Sequence, residues 1–100
     1  MDHMLIVHIP ESLGPMERGE KYESPLSDIL RHAGVGDVTG GGSLVDFSEE
    51  GLELCACDLE LMVSDIKRAI ALTKQFLLEV GAPDESTIEE VGENQLHRLF

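Results

Sequence analysis

The chain has 100 residues, enough for one domain that buries roughly two-thirds of its unfolded surface. Hydrophobic residues make up 42%, which excludes disorder as the default, while three Phe, one Tyr and no Trp leave little material for the base-stacking platforms of single-strand nucleic-acid binders. Twenty acids against seven bases give a formal charge of −13, so nucleic acids and anionic membrane surfaces are repelled, and basic proteins or cations are attracted.

No stretch approaches the ~18 consecutive apolar residues of a membrane span, and no basic leader with an apolar core and cleavage site stands at the N-terminus. Two cysteines one residue apart do not describe a disulfide framework, which points to a reducing cytoplasm. Met1, Asp2 and His3 precede a second methionine, read as a cloning remnant or a flexible N-terminus, and are given no role.

Met4-Leu5-Ile6-Val7-His8-Ile9, closed by Pro10, reads as a strand buried on both faces. Residues 11–23 show little periodicity and read as a long loop. Ser24-Pro25 then marks a helix start, with Ser as the cap and Pro at the first helical position. Leu26, Ile29, Leu30 and Ala33 form one apolar stripe, and Gly34 is placed as the left-handed stop.

Residues 35–47 and 52–59 flank Glu49-Glu50-Gly51 and read as an antiparallel hairpin. Gly40-Gly41-Gly42 within its first arm predicts a bulge or a sharp bend. Ser64 or Asp65 opens a long helix running to Val80, with Ile66, Ala69, Ile70, Thr73, Leu77 and Val80 inward and Leu72 and Phe76 widening that stripe. Gly81 and Pro83 end it. Residues 87–91 read as a last main strand, and residues 95–100 as a short fifth edge strand or a docked tail.

That order is β-α-β-β-α-β. Two β-α-β units meeting in one antiparallel four-stranded sheet, with both helices on one face, make a ferredoxin-like α+β single domain over residues 1–100. The first and third strands are central in that arrangement. Residues 4–9 and 52–61 are the most apolar strands, and neither alternates cleanly in hydropathy. The free face of the sheet therefore calls for a cover, and a homodimer through the sheet is expected, with the C-terminal segment folding back as the rival.

Candidate chemistry is sparse. The glycine triplet feeds a strand rather than a helix and lacks a following Lys, so it is read as a bend and not a phosphate cradle. Cys55-x-Cys57 places two thiols on one side of a strand, half a zinc site, with His8 on the neighbouring strand able to share their face and His32 and His97 more distant. Free cysteine packs like a small hydrophobe, so core packing is favoured there. His8, Cys55 and Cys57 are the candidates for a pocket. The acidic run Asp46, Glu49, Glu50 and Glu53 at the hairpin tip is the candidate docking surface for a basic protein. No catalytic residue, cofactor or metal is assigned.

The segment Ala33-Gly34-Val35-Gly36-Asp37-Val38-Thr39-Gly40-Gly41-Gly42, following a Ser-Pro-Leu helix, resembles small uncharacterised bacterial ferredoxin-like domains with a Gly-rich second strand. Some small acidic proteins of that kind act as immunity or antitoxin partners, so the resemblance implies binding rather than catalysis. The functional expectation is a non-enzymatic protein-binding or regulatory module. The alternative is a small-molecule binder or enzyme with its pocket on the open face of the sheet.

Overall fold

The computed structural model describes residues 2–48, 51–93 and 95–99, with the side chains at 46–48 and 52–54 outside that description. The elements are β1 (His3–Ile9), a short α1 (Pro15–Arg18), a π-helical stretch (Gly19–Glu23), α2 (Ser24–Ala33), β2 (Gly36–Ser48), β3 (Gly51–Val63), α3 (Ile66–Val80), β4 (Thr87–Glu90) and β5 (Gln95–Arg98). They form an α+β architecture around one five-stranded antiparallel sheet in the order β2-β3-β1-β4-β5. Residues 95–98 thus form the fifth edge strand. No helix among the described residues is long and apolar enough to cross a membrane.

The largest correction falls on residues 11–23. Helical backbone begins at Pro15, which follows an extended Gly14, and passes through the π stretch into α2 without leaving the right-handed region. Ser24 is therefore inside the helix and caps nothing; its N–H reaches back five residues to the Gly19 carbonyl. The wider turn accommodates Pro25, which has no N–H to donate and whose ring crowds the preceding turn of a regular α-helix. Tyr22 is the packing reason for this extension. It lies four residues before Leu26, extends the apolar stripe of α2, and is fully buried with its ring edge-on to Phe76 at 6.3 Å.

The stop signals fall where the sequence places them. Gly34 and Gly81 both adopt left-handed backbone, φ 71° and 79°, which a residue with a β-carbon rarely tolerates. Asp65 caps α3 by accepting from the Arg68 N–H at 3.1 Å. Ala69, Ile70, Thr73, Phe76 and Leu77 form its buried face.

The second correction concerns the central strands. Burial does alternate along β1, where Leu5, Val7 and Ile9 are fully buried under the helices while Met4, Ile6 and His8 are half-exposed on the other face. On β3, Cys57, Leu59, Leu61 and Val63 point inward, and Ala56, Asp58, Glu60 and Met62 occupy the other parity. Hydropathy hid this alternation because Met4, Ile6, Ala56 and Met62 are apolar yet sit on the uncovered side. The premise of two apolar faces is thereby replaced by one dry face and one mixed face.

The glycine triplet does not itself bulge. The extra residue is Thr39, just before it, and a second irregularity leaves Cys55 unpaired opposite the Leu44–Val45 step. Beyond Cys57 the third strand pairs only with β2, so the hairpin projects past β1 as a two-stranded ribbon, and the molecule is 45 Å long but only 24 Å thick.

Candidate functional site

The open face is organised around His8. Antiparallel register sets Asp58 of β3 directly beside it, and Glu89 of β4, the cross-strand partner of Ile6, reaches it diagonally from two residues past Thr87, the partner of His8 itself. The ring is clamped at both nitrogens, Nδ1 to Asp58 Oδ1 at 2.9 Å and Nε2 to Glu89 Oε1 at 3.0 Å. Carboxylates only accept, so both bonds form when both ring nitrogens carry protons. Burial works against that charge, but the hydrogen bonds from Glu89 and then Asp58 outweigh it and hold the His8 pKa above the usual imidazole range. The result is an imidazole built into an acidic strip that favours its protonated form.

Asp58 and Glu89 stand at opposite ends of that ring and engage both of its nitrogens. Among the described residues no group of three or more His, Cys, Asp or Glu side chains is placed to hold a metal ion. Glu60 continues the strip beside Ile6 and is exposed, lying against the bare backbone of Gly40: a β-carbon added there would be 3.1 Å from its carboxylate.

The three pocket candidates do not meet. His8 faces outward, Cys57 faces the helices with no exposed surface, and Cys55 is the exposed, unpaired residue of the bulge, its thiol 3.5 Å from the Leu44 carbonyl. Because Cys55 is itself the bulge residue, the two-residue alternation on which a shared face depended breaks there. Burial pushes the Cys57 thiol up to about 11, against the pull of the nearby Arg18 guanidinium, so it stays protonated and a weak nucleophile. His97 bonds to Glu90 at 2.7 Å, away from both cysteines.

Of the acidic docking residues, Glu49 and Glu50 lie outside the described residues. Only the backbone is described for Asp46 and Glu53, which are cross-strand partners near the end of the ribbon.

A polar network that the sequence reading missed sits where residues 11–23 cross β2. The largely buried Arg18 donates to Glu23 at 2.5 Å and to Ser43 at 2.9 Å, and Ser43 donates to the Leu13 carbonyl at 3.1 Å. Gly41 makes room for this crossing, because a β-carbon there would collide with the Glu23 carboxylate and crowd Arg18. Glu11 accepts from Tyr22 Oη at 2.5 Å and Lys21 Nζ at 2.6 Å. Burial raises the Glu11 pKa, yet those two donors win and hold it below the ordinary carboxylate range. Tyr22 at four residues before Leu26 was the signal that could have revealed the helix, and with it the network.

Next to this crossing, α2 and the outer edge of β2 enclose an open cleft of about 360 Å³, lined by Glu23, Ser24, Ser27, Asp28, Arg31, Val38, Thr39 and Gly40. Arg31 is neutralised at its rim by Asp37, 2.7 Å away, which also accepts from Ser27. No protein-family model, curated protein or solved structure matches the chain.

Proposed function

We propose that this chain is a small non-enzymatic protein-binding module that docks a basic partner through the acidic open face of its sheet. The observation that carries the reading is the strip of Asp58, Glu60 and Glu89 on that face, with His8 held between Asp58 and Glu89. In a chain of charge −13 such a strip accelerates encounter with a positive surface and orients it. The engagement of both His8 nitrogens, the protonated Cys57 and the separation of both from Cys55 favour binding over catalysis at the alternative site.

For the architecture we propose the ferredoxin-like arrangement with an appended edge strand. Its support is the run β4-β1-β3-β2, antiparallel throughout, inside the five-stranded order. An immunity- or antitoxin-like role in a reducing cytoplasm is the form of this function that best suits an acidic cover for a basic surface. A homodimer through the open face is the rival arrangement; Met4, Ile6 and Met62 would supply its apolar contact, and Glu60 and Glu89 brought together from two copies would oppose it.

The test is the anisotropy of a labelled poly-lysine peptide at low and high salt, with sedimentation alongside. Binding is expected to weaken steeply with salt and to fall further for Glu60→Gln with Glu89→Gln than for the control pair Glu79→Gln with Glu85→Gln. Equal losses for the two pairs, or no salt dependence, would refute docking at this face, and a dimer at micromolar concentration would support the rival.

A further inference from the structure

We propose that the outer edge of β2 receives an extended, basic segment of a partner protein, which adds as a sixth strand beside residues 39–45. This rests on the acidic-docking reading and specifies where and in what conformation the partner binds. β2 is the terminal strand of the sheet, 13 residues long, and pairs on one side only. A long free edge presents unpaired N–H and C=O groups, and natural proteins usually blunt it with Lys, Pro or a covering element. Here the edge carries neither Lys nor Pro, and the triplet Gly40-Gly41-Gly42 leaves its backbone bare, as close approach of another backbone requires. Among the described residues its start is closed, where Asp37 accepts from the Val38 N–H at 2.8 Å.

The surroundings select the incoming chain. An added strand directs alternate side chains to opposite faces of the sheet. One set enters the cleft between α2 and β2, where Asp28 stands and Glu23 is already paired with Arg18. The other set lies over the open face, where Glu60 rests against Gly40. Carboxylates therefore flank the edge on both sides, and Arg31, the cation at the cleft, is already paired with Asp37. An extended segment with basic residues on both parities meets Asp28 on one side and Glu60 on the other, and main-chain bonding to the free edge supplies the remaining affinity.

The probe is a soluble peptide alternating lysine with threonine, compared with one of the same charge whose central threonines are prolines. Nuclear magnetic resonance titration and amide hydrogen exchange of the full chain read the outcome. The alternating peptide is expected to slow exchange of edge amides within residues 39–45 and to bind about tenfold more tightly than the proline-interrupted one. Asp28→Asn with Glu60→Gln should weaken both peptides about fivefold. Gly42 has ordinary negative-φ backbone and open space where a β-carbon would sit, so Gly42→Ala should fold and bind within about twofold, while Gly42→Lys should fold and lose the alternating peptide. Equal binding of the two peptides without edge protection would overturn strand addition and leave acidic docking standing. Failure of both peptides to bind would overturn both.

Discussion

The two faces of one sheet show how differently the same strands are used. On the helix side, Leu5, Val7, Ile9, Leu59, Leu61 and Val63 are fully buried and continuous with Tyr22, Leu26, Leu30 and Leu77. On the other side, their sequence neighbours Met4, Ile6, His8, Asp58, Glu60 and Met62 make a half-exposed mixture of apolar and charged groups. The first face holds the fold together by excluding water. The second contributes less to stability and carries the cluster of His8, Asp58, Glu60 and Glu89.

The sharpest way to break that contrast is truncation on each face. Leu59→Ala is expected to cost about 3 kcal/mol in urea unfolding, whereas Met62→Ala on the same strand should cost about 1 kcal/mol. Equal losses would mean the open face is covered in solution. Next comes thiol accessibility: Cys55 should react with a disulfide reagent in the folded protein at least about a hundredfold faster than Cys57, which becomes available only on opening. Comparable rates would show that the bulge and the dry face are not as described.

Smaller effects sharpen the inner side of the comparison. Tyr22→Phe removes the donor to Glu11 and should cost about 1.5 kcal/mol. Glu11 has a lowered pKa, so its contribution is present above the ordinary carboxylate value and is lost as pH falls through the lowered one; Glu11→Gln should flatten that acid limb in thermal melts. Thr73 and Ser86 bury hydroxyls with no hydrogen-bond partner among the described residues. Thr73→Val keeps the shape and should raise stability by about 1 kcal/mol.

The smallest effect belongs to the open face. His8 has a raised pKa, so its stabilising contribution is complete below the ordinary imidazole value and disappears as pH rises through the raised one. Proton resonance titration of the ring should place its midpoint above 6.5 and move it down in Asp58→Asn. Exposure and screening keep the associated change in stability small. A midpoint at or below the ordinary value would dissolve the clamp.

Much of the fold was legible from local chemistry. The stops at Gly34 and Gly81, the cap at Asp65, the hairpin around Gly51 and the inward stripe of α3 all follow from residue types acting within a few positions of themselves. The functional face was less so. His8 stood out as a polar residue in an apolar strand, but Asp58 and Glu89 lie 50 and 81 residues away from it, and only strand register unites them. The Arg18 network was invisible for a related reason, since Ser-Pro is a strong local start signal and the packing of Tyr22 against Phe76 overrode it.

The order of elements, the punctuation between them and the acidity of the whole were thus written in the chain alone, because each depends on short-range backbone preference or simple summation. Which parity of each strand faces inward, how far the first helix extends and whether Cys55 shares a face with Cys57 were decided by tertiary structure. Those outcomes depend on helix cover from distant segments and on a single bulge residue, and shifting a strand by one position exchanges every side chain between core and surface.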